Sequence, residues 1–209
     1  MKVVPTQHDL LLYQHDYKGG YETYKATQIR WNKAKLEKIW ADDLTLEAVA
    51  QDIQKRGFTR GICHGARNGY EVRWLADRLN VDVIGTDISD TAPQFGLVVH
   101  DFHEPRREWV GAFDFVYTNS LDQALDPQKA LDTWADQLTP KGCIYVEHTM
   151  LHSAAGASEM DPFGAHPMIV PFLLFKWGRG KYALADILEP GEVAGKGNVW
   201  VFVIERSAG

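Results

Sequence analysis

The chain has 209 residues, 45% of them apolar and 24% charged, and a net charge of −6. That length suits one domain with a sizeable core. The acidic balance disfavours nucleic acid as a partner, because a phosphate-backbone binder carries a basic surplus. No run approaches the roughly 20 apolar residues that span a bilayer, so no membrane association is expected.

Residues 1–20 read as irregular, ending at Lys18-Gly19-Gly20. Polar residues follow Met1-Lys2-Val3-Val4-Pro5, which is not a secretory pattern. Residues 22–40 read as a helix whose stripe is Ile29, Leu36, Ile39 and Trp40. Thr45 is placed to cap a second helix, with Leu46, Val49, Ala50 and Ile53 inside and Gly57 closing it. Residues 1–56 are thus a helical cap ahead of a core over 57–209, within a single domain. The cap either only covers a sheet or brings Tyr21, Tyr24 and Trp31 to close a substrate side.

The stretch Gly57 to Gly69 is the centre of the chain. A strand over Phe58 to Cys63 breaks into the turn His64-Gly65-Ala66-Arg67-Asn68-Gly69. A helix then starts near Tyr70, with Val72, Leu75, Ala76 and Leu79 on one face. A strand, a glycine turn and a helix make either an ordinary corner or a nucleotide-binding crossover, in which helix N–H groups meet the ligand. The next strand, Asp82 to Ile88, favours the second reading. Asp87 lies 22 residues after Gly65, where a strand-end carboxylate holds a ribose diol.

Leu97 to Val99 is a short third strand, followed by His100-Asp101-Phe102-His103-Glu104. Asp101 sits where a carboxylate accepts from an exocyclic amine. Residues 113–118 form a fourth strand, ending in Asn119-Ser120-Leu121-Asp122. Asp126 caps a helix with Pro127 in its first turn and Ala130, Leu131, Trp134 and Leu138 on its face. Thr139-Pro140-Lys141-Gly142 reads as a turn, and Cys143 to Glu147 as a fifth strand leading to His148-Thr149. Strands alternating with helices imply a parallel sheet covered on both faces. Both cysteines, Cys63 and Cys143, fall in strands, which suits reduced thiols in a cytoplasmic protein.

Residues 150–166 form a long loop at the ligand-binding edge. Its Asp161-Pro162-Phe163-Gly164 is either a substrate lid, with Phe163 on an acceptor, or a turn into the next helix. Met168 to Trp177 is apolar and helical, bent at Pro171, and is core or a homodimer contact. Tyr182 to Leu188 and Asn198 to Ile204 are two strands that a loop over 190–197 pairs antiparallel.

This order resembles the class I S-adenosylmethionine-dependent methyltransferases over about Gly57 to Arg206. The resemblance implies an α/β fold: a Rossmann-like, seven-stranded, mostly parallel sheet with helices on both faces and a C-terminal antiparallel hairpin. It implies S-adenosylmethionine as cofactor and methyl transfer to oxygen or nitrogen of a small-molecule acceptor. In the first motif, Gly65 and Gly69 are in place around His64, but Cys63 replaces the usual acid and Arg67 the middle glycine. Asp87, followed by Ile88, matches the acid at the ribose. Asp101 matches the acid at the adenine amine, with Phe102 beside the ring. Asn119 and Ser120 fall at the fourth-strand motif near the reacting methyl. Asn-Ser-Leu-Asp differs from the Asn-Pro-Pro-Tyr of enzymes that methylate nucleobase amines. Tyr24, Trp31, Asp122 and Phe163 are the substrate-side candidates. His148, then His152, is the candidate general base, against the plainer reading of a hydrogen-bonded loop histidine. The histidines near the carboxyl edge form no tight ligand motif, so no metal is expected. The alternative function is a non-methylating adenosine-ligand module of the same fold.

Overall fold

The computed structural model describes residues 11–207; the reading of residues 1–10 as irregular lies outside them. In chain order the elements are β1 (Leu12–Gln14), α1 (Gly20–Ala34), α2 (Asp43–Arg56), β2 (Arg60–His64), α3 (Tyr70–Leu79), β3 (Asp82–Asp87) and β4 (Val98–Val99). There follow β5 (Phe113–Thr118), α4 (Pro127–Gln137), β6 (Leu138–Thr149), β7 (Phe163–Ala165), α5 (Val170–Gly178), β8 (Tyr182–Val193) and β9 (Gly197–Arg206). Seven strands form one sheet in the order β4-β3-β2-β5-β6-β9-β8. The first five are parallel, and β9 runs antiparallel to both of its neighbours.

The central strands are near-continuous apolar runs because both faces of the sheet are covered. Cys63, Phe115, Tyr117, Tyr145 and Val203 pack with Leu46, Val49, Ile53 and Leu75 of α2 and α3. Ile62, Val116, Ile144 and Phe202 pack on the other side with Leu131 and Trp134 of α4 and Leu173 and Leu174 of α5. Both cysteines are free and buried. The carboxyl ends of β2, β3, β5 and β6 meet at one edge, and α1 lies across it. Among the described residues, no helix is long and apolar enough to cross a membrane.

Several expectations are corrected. The helix over 22–40 stops at Ala34, and its buried residues are Tyr24, Thr27 and Gln28, while Ile39 is 55% exposed. It covers a polar mouth rather than an apolar core, so an aliphatic stripe is the wrong signal. Asp42, not Thr45, caps α2: its Oδ1 accepts from the Thr45 backbone N–H at 2.8 Å. Thr139 to Gly142 is not a turn but the first part of β6, where the pairing with β5 shifts register. Pro171 sits in the first turn of α5, where it needs no donor and bends nothing. The loop expected over 190–197 is mostly strand. Finally, Leu12–Gln14 pairs antiparallel with Phe163–Ala165 as a separate two-stranded ribbon. Three-residue strands are too short to display alternation in a sequence.

Candidate active site

The turn after β2 is built on left-handed backbone. Gly65 has φ 70° and Gly69 has φ 69°, and a Cβ on Gly65 would stand 2.6 Å from Ser120 Oγ. Arg67 adopts φ 43° without being glycine, a conformation that needs holding. Its backbone N–H donates to Asp87 Oδ2 at 2.9 Å, and Nη1 donates to the Lys38 carbonyl at 3.2 Å. The Ser89 N–H donates to Asp87 Oδ1 at 2.9 Å. Burial pushes the Asp87 carboxyl up, opposed by these two backbone donors. Asp101 accepts from Tyr21 Oη at 2.6 Å and from the His103 ring Nδ1 at 2.6 Å. Burial raises this carboxyl, but the His103 and Tyr21 contacts outweigh it and hold Asp101 well below the usual carboxylate range.

These residues floor a narrow cleft. Gly65, Arg67, Asp87, Ile88, Asp101 and Phe102 form the floor, and Tyr24, Gln28, Trp31, Asn32 and Lys35 form the roof. The roof is fastened at both sides: Tyr24 Oη donates to the Gln123 carbonyl at 3.0 Å, and Gln28 Nε2 to the Met160 carbonyl at 3.0 Å. Gln28, Asn32, Lys35, Gln123 and Met160 were not foreseen, since scattered polar residues carry no periodic signal. A narrower extension shares Gly65 and Arg67 and reaches Trp40, Asn68, Glu71 and Asn119. Glu71 is buried, and its carboxyl is pushed up to about 7 by that burial.

Other predicted site residues stand elsewhere. Cys63 is fully buried in the layer beneath α2 and α3, and burial pushes its thiol up; it does not line the cleft. His64 is also buried, its ring bonded to Thr86 Oγ1 and Gln137 Oε1 at 2.8 Å each and stacked on Trp134. Burial lowers its pKa to about 3. Gly69 caps α3 rather than facing the cleft, and Ser120 backs Gly65 through a 3.3 Å bond to its carbonyl. His148 lies inside β6, not in a loop; its Nε2 donates to the Ala165 carbonyl at 2.9 Å. Burial lowers its pKa to about 3, so it is a weak base without access to the cleft. His152 Nδ1 accepts from the Thr149 N–H at 3.2 Å, and burial lowers its pKa to about 4. Phe163 is buried in β7 with its ring 6.0 Å from that of Trp177, so it is a core residue and not a lid. Asp122 is buried just behind the cleft wall. Among the described residues, no group of three or more His, Cys, Asp or Glu is placed to hold a metal ion.

No protein-family model matches the chain, and no curated protein matches it. Solved structures do. The Burkholderia thailandensis 1,6-didemethyltoxoflavin-N1-methyltransferase, with 1,6-didemethyltoxoflavin and S-adenosylhomocysteine bound, has TM-score 0.70 at 14% identity, covering 98% of this chain and 100% of that one. The magnesium protoporphyrin IX methyltransferase of Synechocystis PCC 6803, with S-adenosylmethionine bound, has TM-score 0.64 at 11% identity, covering 91% and 100%. The [4+2]-cyclase SpnF has TM-score 0.58 at 14% identity, covering 77% and 80%. The chain therefore has the Rossmann-like fold of the class I S-adenosylmethionine-dependent methyltransferases.

Proposed function

We propose that the protein transfers a methyl group from S-adenosylmethionine to oxygen or nitrogen of a small-molecule acceptor. The observation that carries this reading is the pair of strand-end carboxylates, Asp87 and Asp101, on the floor of one cleft beside the glycine turn. The donor set fits an adenosine ligand. Asp87, already oriented by two backbone N–H groups, has lone pairs left for a ribose diol. Asp101 is held charged, which makes it a strong acceptor for an exocyclic amine. Phe102 offers a ring face to the base. The backbone at Gly65 comes close because a Cβ there has no room. Arg67 and Asn119 face the extension in which the amino-acid end would lie. Glu71 brings to that extension the carboxylate that Cys63 does not supply.

When bound, S-adenosylmethionine supplies a methyl group already activated on a sulfonium sulfur. The protein's part is alignment and exclusion of water. Holding the acceptor in line is worth about 7–11 kcal/mol in favourable cases. Tyr24 and Trp31 in the roof provide the walls. A roofed cleft suits a small molecule rather than a polymer, and both methyltransferases named above are described with small-molecule substrates. A second reading, an adenosine-ligand module that does not methylate, is favoured by Cys63 in the first motif and by the cyclase that shares the fold.

Calorimetric titration with S-adenosylmethionine and S-adenosylhomocysteine tests the proposal. Micromolar binding is expected, weakened at least about tenfold in Asp87→Ala, since a lost charge-assisted hydrogen bond is worth about 1.5–3 kcal/mol. No binding by the unmodified protein would sink both readings. Binding without turnover across amine and hydroxyl acceptors would leave the second.

A further inference from the structure

The narrow extension of the cleft is lined by a buried acid that the fold does not use. Glu71 is the second residue of α3, eight positions after Cys63. It lines the extension with Arg67, Asn68 and Asn119 and is 6% exposed. Among the described residues no side chain donates to its carboxyl, which accepts from its own backbone N–H. An acid in the first turn of a helix ordinarily complements the helix dipole from the surface, where water solvates it. Glu71 is out of water, and a buried carboxylate without a bonded cation or several donors opposes folding. Glu147, buried in β6, has the arrangement of a structural carboxylate: Trp40 Nε1, Tyr117 Oη and Lys196 Nζ donate to it at 2.7–2.8 Å.

The opposite charge waits where the roof meets the glycine turn. Lys35 caps the C-terminus of α1, is half-buried, and lines the main cleft beside Gly65 and Arg67. Among the described residues its ammonium has no hydrogen bond and no ion pair; it lies 5.8 Å from the centre of the Trp31 ring. Asp161 and Asp122 attract it from a distance, and Arg67 and Lys38 repel it. Arg67 is already engaged, with Nη1 donating to the Lys38 carbonyl at 3.2 Å. The indole N–H of Trp31, on the same roof, is buried and unpartnered as well. The cleft and its extension share Gly65 and Arg67. A ligand that crosses this junction therefore passes an unanswered carboxyl from α3 and an unanswered ammonium from α1.

We propose that the amino-acid end of the methyl donor lies across this junction as a zwitterion, its α-ammonium donating to Glu71 and its α-carboxylate accepting from Lys35. This deepens the proposed function and rests on it. An α-amino acid carries both charges on one carbon, which matches one acid and one base reached from two sides. Both contacts are charge-assisted, the stronger class of hydrogen bond. The acid thus comes from the helix after the glycine turn and not from the strand before it, where Cys63 stands, and the base comes from the roof. An adenosine thioether that lacks either charged group is discriminated against.

Calorimetry with three probes tests this without knowing the acceptor: S-adenosylhomocysteine, its deaminated analogue and its decarboxylated analogue. In the unmodified protein each analogue is expected to bind at least about tenfold more weakly than S-adenosylhomocysteine. In Glu71→Gln, S-adenosylhomocysteine should weaken at least about tenfold, while the deaminated analogue stays within about threefold of its affinity for the unmodified protein. In Lys35→Met the same is expected of S-adenosylhomocysteine and the decarboxylated analogue. Analogues that match S-adenosylhomocysteine in the unmodified protein overturn the proposal, even if Glu71→Gln does not fold, and leave the adenosine site of the proposed function standing. So does a variant that weakens S-adenosylhomocysteine and its matching analogue equally, or one that weakens neither. If none of the three compounds binds, the methyl-donor reading falls and this proposal with it.

Discussion

At His148 the side chain serves the fold. Its ring donates to the Ala165 carbonyl, tying β6 to β7, and packs 5.8 Å from Phe202. His148→Ala should therefore lower stability by about 1–3 kcal/mol, because it orphans a buried carbonyl. Binding of S-adenosylhomocysteine should stay within about twofold. Denaturant unfolding and calorimetry on the same variant check the two halves; a large loss of affinity at full stability would return His148 to the site. A histidine draws notice in a sequence because its pKa in water is near ~6.5. Burial removes His148 and His152 from that range, to about 3 and about 4, and brings Asp122 and Asp161 into it, at about 7 each. The chemistry at a residue is set by its surroundings, and these are not written at its own position. Asp87 and Asp101 were legible because their place at strand ends follows from spacing alone.

Among the elements, α4 shows the rule at its clearest. Asp126 Oδ1 accepts from the Lys129 N–H at 2.9 Å, Pro127 opens the helix, and Ala130, Leu131 and Trp134 are fully buried. Asp126→Ala should lower stability by about 1 kcal/mol without touching the cleft, read as a shift of denaturant midpoint at unchanged slope; no shift would mean that the cap contributes nothing. This helix was readable because its partner is an apolar sheet, so its periodicity is that of a core. The opposite case is α1, whose partner is the polar cleft. Its inward residues are Tyr24, Thr27 and Gln28, and its polar groups are fastened to carbonyls across the mouth. A helix of that kind hides its inner face from any hydrophobic pattern. Helix α5 falls between the two: Leu173 and Leu174 are buried, while Phe172 and Phe175 are 59% and 83% exposed. An unbroken apolar run in the sequence cannot separate those two sets.

For the whole molecule, buried ionisable groups divide into two sets that pull stability in opposite directions. Glu71, Asp122 and Asp161 have folded pKa values raised to about 7. The folded state binds the extra protons, so the stability they lend is present below their ordinary pKa and is lost as pH rises from about 4 to about 7. His64, His148 and His152 have folded values lowered to about 3, 3 and 4. Here the unfolded state binds the extra protons, so stability is lost as pH falls from about 6.5 towards those values. Between about pH 4.5 and 6.5 three losses offset three gains. Stability should be nearly level there and fall steeply below about pH 4, where the histidines titrate together with carboxyls held low by their partners, such as Asp42 and Asp101. Urea midpoints across that range check it; a steady climb from about pH 4.5 to 6.5 would mean that the buried carboxyls are charged throughout.

The small ribbon of β1 and β7 has a bearing on folding time. It joins Leu12 to Ala165, 153 positions apart. The His15 N–H adds a bond to the Pro162 carbonyl, Tyr17 Oη bonds the Glu159 carbonyl, and Arg30 pairs with Glu159 at 2.6 Å. By contrast, β2 and β3 meet across one helix. Contacts so distant in sequence close slowly, because the chain between them must be ordered first. The sheet can thus mature while the mouth above it is still open. A molecule halted at that stage would hold most of its secondary structure beneath an unfastened mouth.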